Sequence, residues 1–96
     1  MTLESLNQQL ISAIKSKDLL RVSVLRYLLA GIKNREIELR PENKVVDEEQ
    51  VIKVLEKQIK QRKDSIESYK MGKRQDLVDK ESSELEILEE LLSNAR

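Results

Sequence analysis

The feature that most constrains this chain is how few of its residues favour turns. Its 96 residues include two glycines, Gly31 and Gly72, and one proline, Pro41. A sandwich or barrel of short strands needs a turn roughly every ten residues, usually built with such residues. Leu, Glu, Lys, Arg and Ala together make up about half of the chain, which is typical of long-helix proteins. The sequence therefore predicts an all-α fold.

Composition also excludes several kinds of chemistry. The sequence has no Cys and no His, so thiol nucleophiles, disulfides, imidazole bases and zinc sites with those ligands are ruled out. Ser82 and Ser83 have no nearby base, and no glycine-rich phosphate loop occurs. The acidic pairs 84/86 and 89/90 lie along a helix surface, which scatters possible metal ligands. We expect no catalytic residue, no cofactor and no metal site, and hence a chain that is not catalytic alone.

Four helices follow from the spacing of the apolar residues. A single domain, residues 1–96, is expected to hold helices at about 2–16, 18–39, 47–71 and 75–93. Thr2, Asp18 and Asp47 are placed to cap the first three helices, and Gly72, a residue that can adopt a left-handed conformation, to end the third. Residues 41–44 form the longest loop. Because the other connections are short, we predict a four-helix arrangement of two antiparallel helical hairpins.

The second helix differs from the others in its apolar pattern. The first helix has a single apolar stripe, as a surface helix does, whereas residues 19–39 are apolar around most of the circumference. A helix of that kind needs neighbours on several sides. The second helix is therefore predicted to be the central one.

Arg62 interrupts the apolar face of the third helix, one turn after Ile59. Placing Ile59 opposite Leu88 in the second hairpin brings Arg62 beside Glu84 and one turn from Glu81. We predict a structural ion pair of Arg62 with Glu84 or Glu81 that determines the register of the hairpin. The contribution of this pair to the free energy of unfolding has two alternative values. A solvated pair contributes about 0–1 kcal/mol. Breaking a half-buried pair costs about 3–5 kcal/mol.

The formal net charge of zero hides a gradient along the chain. Basic residues exceed acidic ones by three in residues 1–46, equal them in 47–71 and fall three short in 72–96. Lys53, Lys57 and Lys60 project together from the third helix, and such a stripe suits phosphate contacts.

Acidic residues interleave with these lysines at helix-neighbour spacing, so an ordinary solvated face is the alternative. No aromatic residue lies among the lysines in the sequence to stack on a base.

The chain carries no recognisable membrane or secretion signal. No apolar run approaches the roughly 18 residues of a membrane-spanning helix, and the segment Met1-Thr2-Leu3-Glu4 lacks the basic start of a signal peptide. We therefore expect a cytoplasmic protein without membrane contact.

Four sequence motifs follow one another along the chain: LRYLLAGIKNREIE at 25–38, KQRKDSI at 60–66, RQDL at 74–77 and ELEIL at 84–88. Together they resemble the YqeY-like proteins of the GatB/YqeY family. That family is related to the C-terminal helical and tail regions of GatB, a subunit of the glutamine-dependent amidotransferase that converts Glu-tRNA or Asp-tRNA to Gln-tRNA or Asn-tRNA.

The resemblance implies a helical accessory module associated with a carbon–nitrogen ligase that uses glutamine as amido donor. The catalytic domain of that enzyme is separate, so the module is not expected to catalyse the reaction alone. The resemblance also implies tRNA as a partner, and the family's C-terminal tail is expected to be absent. The residues proposed to contact tRNA are Arg26, Lys33, Lys53, Lys57 and Lys60.

A second interpretation needs no nucleic acid. The chain is then a helical protein–protein interaction module that docks a partner protein or the missing tail on its second or fourth helix. Glu81, Glu84 and an exposed rim formed by Leu91 and Leu92 would contribute to that surface.

Overall fold

The computed structural model describes residues 1–95, which contain four α-helices and no β-strand. The helices are α1 (Leu3–Lys15), α2 (Leu19–Leu39), α3 (Glu48–Met71) and α4 (Gln75–Ala95). A short 3₁₀ helix, Arg40–Glu42, follows α2 directly, so the loop before α3 begins later than the predicted 41–44. The all-α prediction is confirmed.

Three helices begin at the side chains that the sequence indicates. Thr2 Oγ1 accepts a hydrogen bond from the Ser5 backbone N–H, and Ser5 Oγ accepts one from the Thr2 N–H, both at 3.1 Å. Asp18 and Asp47 each accept a hydrogen bond from the backbone N–H three residues later. These contacts satisfy N–H groups that have no partner within their helix.

Helix α3 ends at Met71 with Gly72 as its cap, as predicted. Gly72 has an ordinary φ of −83°, whereas Lys73 is left-handed with a φ of 57°. The Lys73 N–H bonds to the Lys70 carbonyl, and the N–H of the next residue bonds to the Tyr69 carbonyl. This pair of bonds is a Schellman motif, which places the left-handed residue one position after the helix cap. The glycine therefore marks the end of the helix, and the residue after it reverses the chain.

The central position predicted for α2 agrees with its contacts. It packs against α1, α3 and α4, while α1–α2 and α3–α4 form the two hairpins. The core contains apolar side chains from all four helices: Leu6, Ala13, Val22, Val24, Leu25, Leu28, Ile32, Val51, Val54, Leu55, Ile59, Leu88 and Leu91.

Several apolar residues lie differently from the sequence expectation. Leu19 is 78% exposed, and Leu20 and Ile37 are also exposed, although the pattern of α2 predicts burial on most sides. Leu91 is only 2% exposed, and Leu92 packs partly buried against the core. The predicted exposed rim of Leu91 and Leu92 is therefore wrong. Apolar spacing identifies a helix face, but it does not show how far neighbouring helices cover that face.

The Schellman geometry predicts opposite responses from two adjacent residues. Lys73→Gly should raise the free energy of unfolding by about 1 kcal/mol, because a left-handed backbone strains a lysine and suits a glycine. Gly72→Ala should be neutral or mildly stabilising, by up to about 1 kcal/mol. Its added Cβ would lie 3.5 Å from the Ser68 carbonyl oxygen, an ordinary contact.

Urea unfolding of the two variants beside the unmodified chain measures both effects. A loss of more than about 1 kcal/mol in Gly72→Ala would mean that Gly72, not Lys73, is the left-handed residue in solution.

Candidate functional site

Arg62 lies where α3 meets both α2 and α4. Its Nη1 is 2.9 Å from Glu81 Oε2 and 2.9 Å from Glu84 Oε2, so one guanidinium contacts both predicted carboxylates. Its guanidinium carbon is 5.5 Å from the centre of the Tyr27 ring on α2, within cation–π range. The Arg62 side chain is 12% exposed and that of Glu84 7%. Two carboxylates around one guanidinium leave this junction with an excess negative charge.

Three buried side-chain atoms near this junction have no hydrogen-bond partner in the described part of the chain. They are Arg62 Nε, Glu84 Oε1 and Gln58 Oε1. Such an atom costs about 1–3 kcal/mol, and folded proteins contain few of them. All three belong to residues that line one groove. This concentration makes the groove the strongest candidate for a functional site.

We call this groove, between α2, α3 and α4, the junction groove. Its volume of about 700 Å³ is within the range of small-molecule sites. Its lining combines an apolar wall with basic, acidic and amide side chains: Leu19, Val22, Ser23, Arg26, Tyr27, Gln58, Gln61, Arg62, Ser65, Lys80, Glu81 and Glu84.

A second groove of about 410 Å³, the α2–α3 groove, adjoins the first. The two grooves share Tyr27, Gln58 and Gln61, so they adjoin at these residues, and we call the two grooves together the cleft. The remaining residues of the α2–α3 groove are Ala30, Gly31, Asn34, Arg35, Glu38, Lys53, Val54 and Lys57.

Gly31 allows α3 to approach α2 closely at the floor of this cleft. A Cβ on Gly31 would lie 2.5 Å from Gln58 Nε2 and 3.1 Å from Val54 Cγ1. The Gln58 amide uses that space to donate a hydrogen bond to the Tyr27 carbonyl oxygen at 3.2 Å. Gln58 is 5% exposed although it is polar.

Gln58 and Tyr27 are the site residues that the sequence interpretation did not identify. A usable signal was present, because Val51, Val54 and Gln58 are spaced as one helix face. Val54 and Gln58 lie against Gly31 of α2, and Val51 and Val54 belong to the same core as Leu55 and Ile59. The buried arc of α3 is therefore wider than the heptad pattern of Leu55, Ile59 and Ile66 predicts.

Three of the five residues proposed to contact nucleic acid lie along the cleft. Lys53 and Lys57 line the α2–α3 groove, and Arg26 lines the junction groove. Lys53 Nζ is 3.5 Å from Glu49, whereas within residues 1–95 neither Arg26 nor Lys57 has a carboxylate at salt-bridge distance. Tyr27, 57% exposed, lines both grooves. Helix α2 thus supplies the aromatic residue that is missing among Lys53, Lys57 and Lys60 in the sequence.

The other two residues, Lys33 and Lys60, line neither groove. Lys60 Nζ lies 3.1 Å from Asp64 Oδ2, and Lys33 Nζ lies 3.6 Å from Glu36 Oε2. The hydrogen bond from Arg40, together with the charge of Lys33, holds the pKa of the Glu36 carboxyl below its usual range. Both lysines are therefore partly neutralised on solvated helix faces.

The acidic residues of α4 are not arranged as a set of metal ligands. Within the described residues, no group of three acidic side chains is arranged to hold a metal ion. Glu84 is held in the junction described above, while Glu89 and Glu90 pair with Lys63 and Arg21. These carboxylates act as partners for basic residues on neighbouring helices.

Two helical hairpins, α1–α2 and α3–α4, define a small all-α domain. The chain belongs to the family described as "Yqey-like protein", whose model matches residues 3–95. Three similar relatives share one name, "Altered inheritance of mitochondria protein 41, mitochondrial".

The relative from Kluyveromyces lactis is 45% identical over 85 residues, which is 88% of this chain and 45% of the relative. The relative from Lachancea thermotolerans is 43% identical over 88 residues, or 92% of this chain and 46% of the relative. The relative from Saccharomyces cerevisiae is 38% identical over 87 residues, or 91% and 46%. The chain therefore spans slightly less than half the length of these curated relatives.

The expected cytoplasmic location is wrong, because these relatives are named as mitochondrial proteins. Helix periodicity and surface charge are properties of a folded domain, and they do not distinguish a cytoplasmic from a mitochondrial protein. Among the helices of residues 1–95, none combines the length and hydropathy needed to cross a bilayer.

Breaking the Arg62 junction should be costly. Arg62→Ala should lower the free energy of unfolding by about 3–5 kcal/mol, because Glu84 would remain buried without a countercharge. The matched control is Lys63→Ala: Lys63 lies 3.9 Å from Glu89 across the same helix pair, and both side chains are exposed. An exposed pair is worth about 0–1 kcal/mol.

Chemical denaturation at neutral pH compares the two variants. If Arg62→Ala loses less than about 1 kcal/mol, as Lys63→Ala should, the junction behaves as a solvated ion pair and does not determine the register.

Gly31→Ala should displace the Gln58 amide from the Tyr27 carbonyl. Alanine gains about 1 kcal/mol of helix propensity, but its Cβ would lie 2.5 Å from the flexible end of Gln58, so the net change in stability should be small. The side-chain amide resonances of Gln58 should shift in a nitrogen–proton correlation spectrum, and those of the exposed Gln8 should not. Unmoved Gln58 resonances would contradict the close approach of α2 and α3.

Proposed function

We propose that this chain is a tRNA-associated accessory module, not catalytic alone and related to the helical and tail region of the GatB subunit of glutamine-dependent tRNA amidotransferase. On this proposal, the carbon–nitrogen ligase chemistry belongs to a separate catalytic domain. The observation that carries the proposal is that Tyr27, which is 57% exposed, lines one groove with Lys53 and Lys57 and the adjoining groove with Arg26.

The electrostatics of the cleft favour a polyanion. Arg26 and Lys57 have no carboxylate partner within the described chain, so a phosphate meets them without first breaking an ion pair. Residues 1–46 carry the excess positive charge and residues 72–96 the excess negative charge. A chain of zero net charge has little general attraction for RNA, so binding would depend on local basic groups such as Arg26 and Lys57.

The composition of the cleft also favours RNA with unpaired bases over a regular duplex. Single-stranded RNA is recognised by stacking on aromatic side chains and by hydrogen bonds to base edges. Tyr27 supplies a half-exposed ring, and Gln61 and Asn34 supply amides beside it. Loops and ends of a folded tRNA present such bases, and its backbone presents the phosphates.

Titration of tRNA binding with salt tests this proposal. The chain should bind tRNA at low salt, and the slope of log affinity against log salt should decrease by about 0.7–0.9 when Lys57 is changed to Ala. Lys60→Ala should have a smaller effect, because Lys60 is paired with Asp64 and lies outside the grooves. Lys15→Ala on α1 is the control and should leave the slope unchanged.

Absence of tRNA binding at low salt would contradict the proposal. Equal effects of Lys15→Ala and Lys57→Ala would show that binding is not located in the cleft.

A protein-interaction module remains the second candidate, and a different surface favours it. Ile11, Ile14 and Leu19 are each about half or more exposed near the α1–α2 turn, at 52%, 47% and 78%. Exposed apolar residues grouped in this way are typical of protein contacts. If no tRNA binds and a purified partner is lost on Leu19→Ser with the fold intact, this second function replaces the first.

A further inference from the structure

We propose that the junction groove binds a single guanine base, presented either by a free guanine nucleotide or by an unpaired residue of an RNA strand. The inference deepens the proposed function and rests on it for the RNA source. It depends on three unpartnered buried atoms that belong to residues of the groove lining, on the charge around them and on the ring of Tyr27.

The unpartnered atoms determine which groups a ligand must present. Glu84 Oε1 and Gln58 Oε1 are acceptors without a donor, and each residue is 5% exposed. Arg62 Nε is a donor without an acceptor. A ligand that satisfies all three atoms needs one acceptor and two donors.

Guanine has this arrangement on one edge: the O6 acceptor, the N1–H donor and the N2 amine donor. Adenine and cytosine each have one donor nitrogen, the exocyclic amine, and uracil has only its N3–H. A primary carboxamide has both donors on one nitrogen and therefore serves two separate acceptors less well. Of these groups, guanine alone places two donor nitrogens beside an acceptor.

Charge and shape point to the same ligand. Glu81 and Glu84 both contact the single Nη1 of Arg62, and two carboxylates at this point favour a donor-rich edge over an acceptor-rich one. The exposed Tyr27 ring offers a stacking surface for the base. Arg26 and Lys80 also line the groove and suit the phosphate that accompanies a nucleotide.

Binding requires some movement of the groove lining. The three unpartnered atoms are shielded from solvent, so a base reaches them only after a covering side chain is displaced. The resonance of the Arg62 Nε–H group is therefore a direct reporter, because a new acceptor at this atom shifts it.

The first experiment titrates the chain with GMP, IMP, AMP and inorganic phosphate by calorimetry, with Arg62 Nε–H followed by NMR. GMP should bind and shift the Arg62 resonance. IMP lacks the N2 amine and should bind about tenfold or more weakly, since a hydrogen bond to a charged group is lost. Equal affinities for GMP, AMP and phosphate, or an unmoved Arg62 resonance, would overturn the proposal.

Two variants locate the site. Glu84→Gln should weaken GMP binding about tenfold or more, while Glu89→Gln, an exposed glutamate on the same helix, should not. Tyr27→Leu should also weaken GMP binding. Because Tyr27 is 57% exposed, we expect this variant to fold. Circular dichroism checks the fold of each variant, and an unchanged GMP affinity in folded Tyr27→Leu overturns the proposal independently of Glu84.

RNA binding by Glu84→Gln separates this inference from the proposed function. Removing a negative charge from the groove should strengthen purely electrostatic RNA binding, whereas a guanine site predicts weaker binding. Stronger or unchanged tRNA binding, together with a GMP affinity that Glu84→Gln leaves unchanged, overturns the guanine site and leaves the proposed function standing. GMP binding without tRNA binding supports the guanine site for a free nucleotide and overturns the proposed function.

Discussion

The rest of the structure depends on the need to cover α2. Its apolar residues are spread around the helix, so one neighbour cannot shield them all from water. Helix α1 folds back along α2 through a short turn, and the α3–α4 hairpin covers other sides. Val24, Leu25 and Leu28 are completely buried as a result. The two-hairpin architecture meets this requirement, because α1 covers one side of α2 and the α3–α4 hairpin covers others.

Covering α2 places polar groups of α3 in unusual positions. Helix α3 must contact α2 on one face and α4 on another, and Gln58 and Arg62 lie on those two faces. The Arg62 guanidinium pairs with Glu81 and Glu84, and the Gln58 amide donates a hydrogen bond to the Tyr27 carbonyl. Within the described residues, Arg62 Nε, Glu84 Oε1 and Gln58 Oε1 still have no hydrogen-bond partner. Structural packing would be served as well by apolar residues at these positions. Buried polar groups that are only partly satisfied are therefore a reason to regard the cleft as functional.

Membership of the Yqey-like protein family accounts for the fold over residues 3–95. The curated relatives are roughly twice as long as this chain, and the matched region covers slightly less than half of each. Their mitochondrial names contradict the expected cytoplasmic location, which nothing in the helix pattern could have tested. The cleft between α2 and α3 is the part of the shared domain for which the structure suggests a role.

The sequence by itself determined the fold class, the number of helices and the caps of three of them, because periodicity and capping are local properties of the chain. It also placed Arg62 near Glu81 and Glu84, since one antiparallel hairpin relates nearby segments. Only the tertiary structure decided that Lys73 is left-handed and that Leu91 is buried. It alone brought Tyr27 to the lysines and Gln58 to the floor of the cleft, because contacts between α2 and α3 depend on how two hairpins pack. That packing is determined by the whole core and not by any one segment.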